Sequence, residues 1–329
     1  MTANAHFDDR EILKETMEDT ILADQLGDSS IWFGELHSGR DKAFFGRCSH
    51  PEVLMSRLIG ETHSIRLGTG VKLLPLDEPA RFAETAMLLN ALAPGRIDLG
   101  IGMGMRSIKA DAHHDKEAEF IAKLGDLLGL LDGGKAAEQR VIPWIDVDFL
   151  PQIWIASREK ASLEFAADRH LSLVLGQLEE ASQQKKYIDT FRQHPSTGKV
   201  KGVRFVHVCQ DKNEVWPNIE RTVTRMYSKR KTSAYGLQAL REKRISIKDS
   251  DDRNKQLADC HFIAGTPDYV FSKLSDYTKE SGIDALDLIM HIPEVGVEET
   301  RRSMTLFASE ILPKMKNLQA CAAGRWPYE

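Results

Sequence analysis

Short apolar runs alternate with longer stripes of helical period along most of the chain. Leu13, Met17 and Ile21, flanked by Leu22 and Leu26, mark one face of a helix starting at Glu11 and stopped by Gly27. Asp8 and Glu11 have the spacing of a capping box before it. Residues 29–37 form a short β-branched and aromatic run, and Pro51 then opens a second helical stripe at the position that favours proline. The alternation continues with strands at 64–74, 96–104, 152–157, 171–177, 202–210 and 285–292. Between them lie helices at 79–93, 116–131, 160–170, 179–193 and 267–281. A last helix carries Met304, Phe307, Ile311 and Met315, and the chain past Met315 is expected to be loose.

Seven strands, most followed by a helix and nearly continuous in apolar residues, predict a parallel sheet covered on both faces. An open doubly wound sheet and a (β/α)8 TIM barrel both satisfy this, and the length without a composition break favours one barrel over residues 1–329. The first strand is short, degenerate or missing, because residues 3–7 (ANAHF) are its sole candidate. Residues 211–262 form an insertion between barrel strands 7 and 8, and 316–329 a C-terminal tail. Within the insertion, the basic and polar stretch 228–255 reads as a lid or as a solvated excursion.

Composition narrows the function. With 42% hydrophobic and 28% charged residues, the chain can offset its ordering entropy, which excludes disorder. A formal charge of −5 argues against a nucleic-acid binder. No apolar stretch is long enough for a membrane span, and the N-terminus lacks the order of a signal peptide, so a cytoplasmic location is expected. Cys48, Cys209, Cys260 and Cys321 are scattered, with no zinc or dithiol spacing.

In a barrel the chemistry sits at the C-terminal ends of the strands. Glu35 and His37, Arg106 and Ser107, Ser157 and Arg158, Gln177, Gln210 and His291 fall there as a ring of polar groups. Other motifs are weaker. Residues 129–135 fit G-x-x-x-x-G-K, but Ala136 follows instead of Ser or Thr, and the match reads as a helix end. Gly100, Gly102 and Gly104 lack the last glycine of a dinucleotide fingerprint and suit close packing or a planar ring. His113, His114 and Asp115 have no third ligand at sensible spacing, so no metal is expected. With no nucleophile elbow and no clear Cys–His pair, a bound group must carry the reactivity.

Residues 61–104, with SIRLGTGVKLLP, a proline-started helix and GRIDLGIGMG, resemble the bacterial luciferase-like flavin monooxygenase family. The similarity extends to residues 24–37, 152–170, 264–290 and 303–315. It implies a (β/α)8 barrel that uses reduced FMN and O2, or in another branch the deazaflavin F420, to oxidise a small organic substrate. By the same resemblance, Gly70 and Val71 fall at a non-prolyl cis peptide beneath the flavin ring, and Ser157, Arg158 and Ser162 at the flavin phosphate. Gly102 and Gln177 join the cofactor set, and Arg106 stands in for a phosphate-contacting arginine whose position holds Met103. Glu159 puts an anion where small residues are usual. Luciferase α-type members carry Glu-His-His where this chain has Glu35-Leu36-His37. His37 is therefore the candidate for proton handling, Glu35 its orienting partner and His291 the second candidate. The resemblance also implies a flavin reductase partner and a homodimer through the early helices, or a heterodimer with a homologous subunit. A non-catalytic partner subunit that has lost flavin binding is the rival reading.

Overall fold

Eight parallel strands account for the apolar runs. In the computed structural model, which describes residues 8–37, 48–104, 116–132, 141–143, 145–247 and 250–322, they are β1 (Ser30–Phe33), β2 (Arg66–Leu73), β3 (Ile97–Gly102), β4 (Ile153–Ala156), β5 (Ser172–Leu175), β6 (Val200–Val208), β7 (Phe262–Gly265) and β8 (Ala285–Ile289). The strand candidate at 3–7, as well as Arg106, Ser107, His113, His114 and Asp115, lies outside the described residues. Strands β1 to β7 pair in sequence order and β8 pairs with β6. The sheet curls with its helices outside, the (β/α)8 architecture expected.

The helices are α1 (Asp9–Leu26), α2 (Pro51–Ile59), α3 (Pro79–Leu92), α4 (Lys116–Leu131), α5 (Lys160–Asp168), α6 (Ala181–Arg192), α7 (Lys212–Thr232), α8 (Ala234–Arg241), α9 (Arg253–Asp259), α10 (Pro267–Ser281), α11 (Val297–Leu306) and α12 (Leu312–Ala322). The capping box of α1 is present: the Asp8 carboxylate accepts from the N–H groups of Arg10 and Glu11, and Glu11 accepts from that of Asp8. Gly129 lies inside α4, two residues short of its end.

Period-two alternation builds two layers. Outward Ile97, Leu99, Ile101, Ile153, Ile155 and Leu173 are fully buried against the helices in one large core. The intervening positions of β1 to β4 are Trp32, Gly68, Asp98, Gly100 and Trp154. Here glycine is a steric requirement. A Cβ on Gly100 would meet the Thr69 carbonyl oxygen at 2.0 Å, and one on Gly102 would meet the Val71 side chain at 2.8 Å, so packing explains this run of glycines.

The interior also holds charge. Lys201 Nζ lies 2.7 Å from Asp287 Oδ2 and 2.9 Å from the centroid of the Trp32 ring, which meets Trp154 edge to face at 6.0 Å. Asp98 receives Arg66 through both oxygens. Burial pushes Lys201 down to about 8 against the opposing pull of Asp287. A cation on an aromatic face, paired with a carboxylate, recovers part of its lost hydration.

Two segments differ from the expectation. The first is residues 211–262, which carry α7, α8 and α9 and lead into β7, a strand the periodicity did not mark. Val215, Ile219, Val223 and Met226 of α7 pack with Phe205, Phe262, Ile292 and Val295 in a second core. β7 pairs with the C-terminal half of β6, Phe205 to Val208, while β5 pairs with its start. Buried Arg230 of α7 joins them, donating to the carbonyls of Gln177, Leu178 and Cys260. The second is the chain past Met315, which continues α12 to Ala322 instead of loosening. A π-helical stretch, Phe307–Ile311, links it to α11 and buries both Phe307 and Ile311.

Candidate active site

β1 ends at Phe33, so the chain leaves the sheet just before Glu35 and His37 and sets both at the strand-end rim. Glu35 Oε1 lies 2.5 Å from His37 Nε2, while Oε2 accepts the Leu73 N–H at 3.0 Å. The carboxylate side chain is 1% exposed and the imidazole 40%, so a fixed anion anchors a ring that remains open to the rim. The His37 and His50 rings meet edge to face at 5.8 Å.

Behind the pair stands Lys72, the next-to-last residue of β2, where the register shifts against β3 between Thr69 and Lys72. Its ammonium lies 2.8 Å from Glu52, 3.0 Å from Asp77 and 3.4 Å from Glu35. Burial opposes its charge, but the hydrogen bonds of Glu52 and Asp77 and the Glu35 charge outweigh this and raise it above an ordinary lysine. Asp77 is correspondingly lowered, its burial overcome by the Lys72 contact. One cation thus serves three carboxylates, one from α2 and two from loops. Sequence reading passed over Lys72; a single lysine inside the apolar run 67–76 was the available signal.

The next group of residues surrounds the first turn of α5. Ser157 Oγ accepts the Glu159 N–H at 3.2 Å. Ser162, 2% exposed, donates its N–H and its hydroxyl to Glu117 Oε1 of α4 at 2.8 and 2.9 Å. Arg158, 29% exposed, lies 3.9 Å from Glu179, which Arg244 also contacts at 3.1 Å. Arg204 donates to the Glu179 carbonyl. Glu117, Glu179 and Arg244 were not among the expected residues, because their roles depend on contacts between elements far apart in sequence.

The remaining candidates separate. The peptide bond Gly70–Val71 is cis and non-prolyl, at the position expected. Val71 packs toward Gly102. The Gln177 carbonyl is taken by Arg230. His291 turns toward the outer helices: its Nδ1 lies 3.0 Å from Asp19 of α1, whose other oxygen receives Arg301 of α11. His37 and Glu35 are therefore brought together, and His291 is bound into the α1–α11 contact. Cys48, Cys209 and Cys260 are buried thiols. Among the described residues no cluster could hold a metal ion, and no helix is long and apolar enough to cross a membrane.

Comparison with known proteins adds to this geometry. A family model described as luciferase-like monooxygenase matches residues 2–285. An uncharacterised protein of Bacillus subtilis, YceB, is 30% identical over 175 residues, 50% of this chain and 51% of its own. The alkanal monooxygenase alpha chain of Photobacterium leiognathi is 22% identical over 314 residues, covering 84% of this chain and 86% of its own. The chain spans about half the length, or less, of the first curated relatives it matches. Among solved structures, the oxygenating constituent of 3,6-diketocamphane monooxygenase from Pseudomonas putida, in complex with FMN, has the same fold. Its TM-score is 0.74 at 17% identity, over 95% of this chain and 96% of that one.

Proposed function

The chain belongs to the luciferase-like monooxygenase family, and from that premise we propose that it is the oxygenating component of a two-component enzyme. It takes FMN reduced by a separate flavin reductase and uses O2 to oxidise a small organic substrate. The observation that carries this reading is that two strands of one sheet lead into the candidate groups: β1 into the anchored Glu35–His37 pair and β4 into the α5 start that holds an oxyanion. The donors at α5 suit a phosphate, since the Ser162 N–H and hydroxyl already hold a carboxylate oxygen. Ser157, Arg158 and Ser162 would hold the phosphate, with Gly70, Val71 and Gly102 beneath the ring system and Gln177 at the rim. Reduced FMN, when bound, supplies the electrons that activate O2. The protein holds and orients it, excludes water, and moves a proton through His37 with Glu35 fixing the imidazole.

The assembly we propose is a homodimer. Val53 of α2, Leu76 of the turn after β2, and Leu88 and Leu92 of α3 are 69%, 67%, 51% and 56% exposed, an amount of large apolar surface suited to a partner. A homologous second subunit is the alternative occupant.

Anaerobic titration with reduced FMN, followed by rapid mixing with O2, tests the function. Saturable binding and a flavin reoxidation course altered by the protein are expected. Absence of binding at high micromolar flavin would favour the non-catalytic partner reading or an F420-dependent oxidoreductase.

A further inference from the structure

The first turn of α5 is already occupied by the chain's own anion. Glu117 reaches across from the first turn of α4 and places Oε1 on both the N–H and the hydroxyl of Ser162, a residue 2% exposed. A carboxylate oxygen and a phosphate oxygen ask the same of these donors, and the positive end of the helix dipole favours either. Two oxyanions cannot share one N–H and one hydroxyl at these distances. Among the described residues, two cations of the α5 start have partners of their own: Arg158 lies against Glu179, and Lys160 pairs with Glu164 within α5.

We propose that Glu117 is an intramolecular competitor for the cofactor's phosphate: the carboxylate seals the helix start when the site is empty and must leave for the phosphate to enter. This rests on the reading that α5 holds the flavin phosphate. Departure of Glu117 releases the first turn of α4 from Ser162, so occupancy of the anion seat is linked to the position of α4. Because the exchange costs the Glu117 contact, the phosphate ester gains less affinity over unphosphorylated flavin than the donor set alone would provide.

The test compares FMN and riboflavin binding to the full chain and to Glu117→Gln, by equilibrium dialysis and flavin fluorescence. The glutamine keeps an amide oxygen for Ser162 and lacks the charge; melting curves of both proteins check the fold. Glu117→Gln is expected to bind FMN about tenfold more tightly, or ~1.4 kcal/mol, with riboflavin unchanged. The gain is expected to persist in about 0.5 M salt, where the screening length is roughly 4 Å. Hydrogen exchange in the first turn of α4 is expected to rise when FMN is added to the unaltered protein. Unchanged or weaker FMN binding by Glu117→Gln overturns the proposal while leaving a phosphate seat at α5 intact. A gain that vanishes in salt overturns it too, because long-range repulsion would then explain the effect. Equal affinities for FMN and riboflavin in both proteins would overturn the phosphate seat and the competition together.

Discussion

Glu35 and His37 lie two residues apart and 2.5 Å apart, with the carboxylate buried and the imidazole open. The pair is held from behind by Leu73 N–H and Lys72, so the geometry is set before any ligand arrives. General acid–base groups placed in this way contribute roughly 10²-fold or more. His37→Ala is expected to lower the rate of substrate oxidation by about that factor, with reduced-FMN affinity unchanged. Stopped-flow turnover beside a binding titration checks it, and undiminished turnover would remove His37 from proton handling.

Lys201 and Asp287 share the barrel interior at 2.7 Å. Removing one charge strands the other, whereas removing both leaves an apolar contact. Lys201→Met is expected to cost about 3 kcal/mol of stability, and the double variant with Asp287→Leu to recover most of it. Urea unfolding of the four proteins measures the coupling.

Burial pushes His207 down to about 4, and His261 is lowered in the same way, mainly by its burial. Both rings are neutral in the folded chain while an unfolded histidine takes up a proton near pH 6.5. The unfolded state therefore binds more protons between about pH 6.5 and 4, so stability falls as the pH falls through that window, by up to about 3 kcal/mol for His207. Above pH 6.5 this contribution is fully present. Melting temperatures across the window are expected to fall less steeply for His207→Phe.

Leu88 and Leu92 are four residues apart on α3 and both exposed. A charge placed between two apolar faces is left without a partner. Leu88→Glu is expected to shift the assembly to monomer in light scattering, with the helix content unchanged.

The outer layer was legible because strands such as Ile97–Gly102 and Ile153–Ala156 carry their aliphatic residues in local order. β7 escaped because its four residues follow Cys260 and His261 without a helical or alternating stripe, and its pairing with β6 is set by tertiary contact. α7 was hidden by charge: buried Thr222 and Arg230 interrupt the inward stripe of Val215, Ile219, Val223 and Met226, and the rest of the helix is dense in charged residues. At the site, Glu35 and His37 are a local pair that spacing exposes. Glu117 looks like any acid in a helix's first turn, where the dipole alone would account for it. Only the approach of α4 to α5 reveals its contact with Ser162.

Arg230 has a bearing on how this scaffold could be remodelled. Its guanidinium meets the carbonyls of Gln177 and Leu178, just after β5, and of Cys260, just before β7. A graft that exchanged residues 211–262 for another loop would remove the donor together with Cys260 and leave the half-buried carbonyls of Gln177 and Leu178 without it. Diversification is therefore expected to exchange this segment as a block that retains its own arginine, while individual surface positions on α8 and α9 vary freely.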